Sequence, residues 1–106
     1  MSYDIQLSID TGGERKARVT ECRSPTYNLA AMFALALGRP IRSLDGMLAG
    51  DVIPVLEAAT LAMHSDPAKF RALNPTNGWG NYEGALESLC WLLEMCKEHP
   101  KATVEI

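Results

Sequence analysis

The sequence predicts an α+β fold: a small antiparallel sheet, formed by an N-terminal hairpin and a C-terminal edge strand, packed against three or four helices. Three observations carry this. Residues 3–10, "YDIQLSID", place Tyr3, Ile5, Leu7 and Ile9 in strict alternation with Asp4, Gln6, Ser8 and Asp10, the period of a half-buried strand. Longer stretches further on repeat their apolar residues at helical spacing, punctuated by glycine and proline. After Pro100 the chain returns to a short β-prone run, "TVEI". A chain of 106 residues is one domain, 1–106, large enough to bury about two-thirds of its unfolded surface.

Each element has a local reason. "DTGGER" supplies glycines for a turn, and "KARVTEC" makes the return strand of a hairpin. "RSPTYN" is a loop, from which Asn28 is expected to cap a helix running from Leu29 to about Leu37, stopped by Gly38 and Pro40. Asp51 reads as the cap of the next helix, with Pro54 in its first turn and an end near His64. Val52, Val55, Leu56, Ala59, Ala62 and Met63 share one face of it. Asp66 followed by Pro67 opens a short helix in "DPAKFRAL". The longest helix is predicted from about Asn81 to Glu98. Tyr82, Leu86, Leu89, Leu93 and Cys96 line its inner face, Ala85 and Leu92 widen it, and Glu83, Glu87, Glu94 and Glu98 face water. Trp91 and Met95 fall off that stripe beside Ser88, so this flank is a candidate interface for a homo-oligomer or another protein.

Composition narrows the function. The net charge is -3 and 47% of residues are hydrophobic, as in ordinary globular proteins. The first 42 residues carry six basic and four acidic groups, a balance of +2; the other 64 carry four basic and nine acidic, a balance of -5. Overall acidity argues against DNA or RNA as partner, since such binding draws on phosphate neutralisation. The longest apolar run, Leu29 to Leu37, has nine residues against the roughly twenty of a membrane span, so no membrane partner is expected. Cys22, Cys90 and Cys96 are an odd set without a leader-like segment. Cys90 and Cys96 lie about 9 Å apart along a helix, too far to bridge. A reducing cytoplasm is expected.

Two motifs invite a functional reading. "IDTGG" resembles the active-site signature of aspartic proteases, in which paired aspartates of a dimer share a proton, and Asp10, Thr11 and Gly12 would then carry catalysis. Against it stand the helical remainder of the chain, the missing second glycine element of that family, and Gly13 where Ala or Ser is usual. Asp-Thr-Gly-Gly is also ordinary hairpin-turn material. His64 and His99 have no ligand-spaced neighbours, and no phosphate-loop, dinucleotide or nucleophile-elbow pattern is present, so no catalytic residue, metal or cofactor is expected.

The second motif is "NPTNGWGNYEG", residues 74–84. As structure, it is a turn with Asn81 capping the helix behind it and Trp79 sealing one end of the core. As a site, its asparagine amides, the helix N-terminus and the face of Trp79 suit an anion and a stacked base. Arg23, Thr26, Tyr27, Asn28, Arg39, Arg42, Asn77, Trp79 and Asn81 are then the candidate ligand-binding residues, provided their loops converge.

The order of "YDIQL", "TYN", "IRSLDGM" leading into "IPVLEAA", and an Asn- and Gly-bearing loop entering "ALESLCWLLEMCKEHP" resembles a family of small proteins of tailed bacteriophages and prophages. Thr26, Tyr27, Asn28, Pro54, Leu56, Glu57 and Asn81 carry the resemblance, which spans most of the chain. This sequence is shorter between the hairpin and "TYN". The resemblance implies a genetic setting, a viral protein in the host-cell cytoplasm, and leaves the function open; with a phage structural or other interaction protein as the alternative, the expected role within it is that of a non-enzymatic binding protein that interferes with host defence. It would either sequester a nucleotide second messenger or block a host protein effector.

Overall fold

The computed structural model describes residues 1–10, 12 and 17–106. Its sheet has three antiparallel strands, β1 (Gln6–Ile9), β2 (Ala17–Arg18) and β3 (Thr103–Glu105), in the order β2-β1-β3. The helices are α1 (Ala30–Leu37), α2 (Ala49–Ser65), the short α3 (Pro67–Arg71) and α4 (Tyr82–Glu98), with 3-10 turns at Tyr27–Leu29 and Ile41–Leu44. The α+β architecture and the C-terminal edge strand expected from the sequence are both present. No helix among the described residues is long and apolar enough to cross a membrane.

The central strand pairs Ser8 with Arg18 on one side and Leu7 with Val104 on the other. Its N-terminal extension continues the pairing past β2: Ile5 exchanges both backbone bonds with Arg23, and the Tyr3 N–H reaches the Pro25 carbonyl at 2.8 Å. Between these stretches the ladder breaks, and the Thr20 hydroxyl accepts the Leu7 N–H at 3.1 Å in place of a backbone carbonyl. This pairing carries residues 23–26 along the sheet edge and delivers Thr26 to the start of the first helical turn.

Alternation fails at the end of β1. Ser8 is 1% exposed and Ile9 is 39% exposed, the reverse of the expected burial. Ser8 sits in register between Arg18 and Thr103, two larger side chains that shield it, whereas β3 ends opposite Ser8 and leaves Ile9 paired only with exposed Ala17. The Ser8 hydroxyl is buried without a hydrogen-bond partner among the described residues.

Two helix starts also differ from the sequence reading. α2 begins at Ala49, ahead of Asp51, which lies in the first turn. The segment after α4 supplies the cap: the Ala49 and Gly50 N–H groups donate to the Ala102 and Pro100 carbonyls at 2.7 and 2.8 Å. Pro54 therefore lies deeper in the helix than the first turn. At α1, Asn28 does not cap. Thr26 does so for the preceding 3-10 turn, its hydroxyl accepting the Asn28 N–H at 3.3 Å. Gly38 closes α1 in the left-handed region, as expected.

A single apolar core joins sheet and helices, with Phe33, Phe70, Ile5, Leu7, Met32 and Leu56 fully buried. α4 buries Tyr82, Ala85, Leu89, Leu92, Leu93 and Cys96, while Leu86 is only half-buried. Tyr82 anchors α4 on α2 through its hydroxyl, which donates to the Met63 carbonyl at 2.6 Å.

Candidate functional site

Of the three loops named from sequence, two converge and the Arg39–Arg42 turn does not join them. Residues 74–81 fold back on the Thr26–Leu29 turn, and Gly80 makes the approach possible: a Cβ there would lie 2.7 Å from Thr26 Cγ2. Gly80 also has φ +99°, a conformation in which other residues are strained. The amide Nδ2 of Asn77 donates to Asn28 Oδ1 at 3.3 Å, and Asn28 Nδ2 donates to Thr26 Oγ1 at 2.9 Å. Asn77 also turns its own loop, accepting the Trp79 N–H at 2.9 Å.

This meeting leaves two adjoining clefts that share Ser24 and Thr26. One, of about 430 Å³, is lined by Met1, Ser2, Ser24, Thr26, Asn28 and Trp79. The other, of about 290 Å³, runs beside α4 between Arg23, Thr26, Gly80, Asn81, Gly84 and Ser88. Trp79 does not seal the core: its side chain stands at the first cleft with the residue 68% exposed, among the most exposed large apolar residues described. Of the nine candidates, Arg23, Thr26, Asn28, Asn77, Trp79 and Asn81 gather here. Gly80, which sequence reasoning did not single out, is the residue that seats the loop.

Three candidates lie elsewhere. Arg39 braces its own turn, donating from Nε to Ser43 Oγ at 2.7 Å. Arg42 donates to the Tyr27 hydroxyl at 3.1 Å and lies over the rings of Tyr3 and Tyr27, at 5.3 and 5.7 Å from their centroids. Tyr27 in turn packs edge-on against Tyr3 at 4.6 Å. None of the three lines either cleft: Arg42 and Tyr27 are held against Tyr3 and each other, and Arg39 is bonded within its own turn.

The electrostatics of the second cleft are nearly cancelled. Arg23 lies 3.4 Å from Glu87 and 3.5 Å from Glu21, and its guanidinium sits 5.3 Å from the Trp91 ring centroid. The N-terminal amides of α4 are spoken for as well. Asn81 Oδ1 accepts from Gly84 and Asn74 Oδ1 from Tyr82, both at 2.8 Å. The Glu83 carboxylate is held below its usual range by its own backbone N–H, with Arg71 at 3.0 Å assisting.

The flank proposed as an interface is less open than its sequence suggests. Trp91 and Met95 are half-buried and pack against the core, and Arg23 covers part of the indole. Ser88 lines the second cleft. Of the protease-like motif, Asp10 is exposed and its carboxylate accepts the Gly12 N–H at 2.8 Å, as in a simple turn. Thr11 and Gly13 lie outside the described residues. No cluster of three or more metal-ligating side chains occurs among the described residues. No protein-family model, curated protein or solved structure matches this chain.

Proposed function

We propose that the protein is a non-enzymatic binding protein whose site is the Trp79 cleft, and that it captures a nucleotide second messenger and so interferes with a host defence system. The observation that supports this best is the convergence of an exposed indole with the Thr26–Asn28–Asn77 chain of hydroxyl and amide groups. A planar base can stack on Trp79 while those polar groups meet its edge. Together the two clefts fall in the size range of small-molecule sites. The phage-like sequence pattern supplies the biological setting, and a homo-oligomer remains the expected assembly.

Native mass spectrometry of protein purified from cells producing bacterial cyclic nucleotides and related immune signals tests the reading. The expected result is a stoichiometric small molecule in the wild type that is absent from a folded Trp79→Ala variant. A ligand-free wild type, or a Trp79→Ala variant that retains the molecule, would refute capture at this cleft and turn the search to a protein effector.

A further inference from the structure

A homo-oligomer needs an open surface, and the α4 flank with Ser88, Trp91 and Met95 is half-buried. Resting on the expected homo-oligomer and independent of nucleotide capture, we infer that the chain pairs with a second copy of itself through the outer face of α2, the two helices running antiparallel about a two-fold axis beside Leu61. That face shares no residue with either cleft at Thr26. Leu61 is 67% exposed, a leucine in mid-helix with most of its side chain in water. Pro54, Ala58, Ala62 and Ser65 are exposed with it and fall on the same side of the helix, within about 100° of arc and without a charge among them. Beside this strip α2 and α4 leave a groove of about 440 Å³, bordered by buried Thr60 and Leu93 and by Glu57, His64 and Lys97.

Charge selects the occupant and its direction. The Glu57 carboxylate, the His64 ring and the Lys97 ammonium belong to no ion pair among the described residues. One carboxylate and one ammonium border the groove, so two copies meet there without net repulsion. Glu57 lies four residues before Leu61 and His64 three after it, about 6 and 4.5 Å along the helix axis. An antiparallel second copy therefore sets its His64 against Glu57 and its Glu57 against His64, a self-complementary pairing made twice. A histidine ring N–H donates to a carboxylate whether the ring is charged or neutral. A parallel pairing would instead set Glu57 against Glu57. Small Ala58 and Ala62 let the helices come close, and each Leu61 enters the groove of the other copy. The contact is one helix face wide, so the dimer is weak and depends on concentration.

Sedimentation velocity from about 10 µM to about 1 mM, on the wild type and three variants, tests this. The average mass of the wild type is expected to climb from 11.6 kDa toward twice that value. Leu61→Lys, at a position exposed in the single chain, should keep its circular dichroism and raise the dimer Kd by about tenfold or more. His64→Glu sets carboxylate against carboxylate twice per dimer and should weaken pairing by about fivefold or more; adding Glu57→Lys to the same chain should return Kd to within about threefold of the wild type. A wild type that stays at 11.6 kDa throughout would overturn the inference and the homo-oligomer with it, while nucleotide capture stands or falls separately on Trp79→Ala. A dimer unaffected by Leu61→Lys, or a His64→Glu protein that pairs as tightly as the wild type, would overturn the antiparallel α2 contact alone. So would a double variant that stays as weak as His64→Glu.

Discussion

Replacing Gly80 by alanine tests the closest contact of the candidate site. The new methyl carbon would sit 2.7 Å from Thr26 Cγ2 and 3.0 to 3.1 Å from the Leu29 side chain, which is buried. Two costs combine. The positive φ of +99° disfavours any side chain by about 1–2 kcal/mol, and forcing a methyl into a filled contact adds about 1–3 kcal/mol. Gly78→Ala separates them, since Gly78 has φ +77° and nothing within 4 Å of its would-be Cβ, so only the backbone cost of about 1–2 kcal/mol applies. For a domain of this size, about 3 kcal/mol lowers Tm by roughly 15 °C, and the smaller cost by roughly half that. Urea titrations of the two variants beside the wild type measure the difference directly. Equal losses in Gly80→Ala and Gly78→Ala would refute the claim that the loop is seated by close approach to Thr26 and Leu29.

Two further outcomes follow from burial. Ser8→Ala removes a buried hydroxyl that has no partner among the described residues, and should leave stability unchanged or raise it by about 1 kcal/mol; a loss above about 1 kcal/mol in urea titration would mean the hydroxyl is bonded. Burial pushes the Cys96 thiol up to about 11 from an ordinary 9.0, so the folded state favours the neutral form. Its contribution to stability is complete below pH 9.0 and is lost as pH rises toward about 11, the range in which only the unfolded chain ionises readily. Thiol labelling below that range should therefore modify half-buried Cys22 and Cys90 while sparing Cys96 until the protein unfolds, and early labelling of Cys96 by mass spectrometry would contradict its placement.

The parts of this fold that the sequence disclosed are those that local chemistry decides. Asp66 and Asn81 cap their helices as expected because each brings its own acceptor to an amide a few residues on. Gly38 stops α1 because the left-handed residue a helix end needs is supplied at that position. The misplaced starts have a different origin. α2 takes its first hydrogen bonds from carbonyls about fifty residues away, so no local cap residue marks its beginning. Ile9 is exposed where periodicity expects burial because β3 ends opposite Ser8, a fact about the partner strand that periodicity in β1 does not encode. The site divided in the same way. Turn chemistry pointed to Asn77, Trp79 and Asn81, but whether their loop met Thr26 and Asn28 or the Arg39 and Arg42 turn depended on packing. Gly80 carried the signal for that contact, in a position easily taken for ordinary turn glycine.

The middle strand of the sheet has a bearing on how the molecule is made. Its pairing with β3 joins positions as far apart as Gln6 and Glu105, whose side chains also bond at 3.0 Å, so the sheet closes across almost the whole chain. On a ribosome, the opening strand must wait until residue 105 has cleared the exit tunnel before its second edge is paired. Helices α1 to α4 draw mainly on nearer neighbours and can consolidate first. The Trp79 loop, which leans on a turn set by the N-terminal strand, reaches its final form only once that waiting strand is fixed. A newborn chain would therefore acquire its helical body before the Trp79 cleft takes shape.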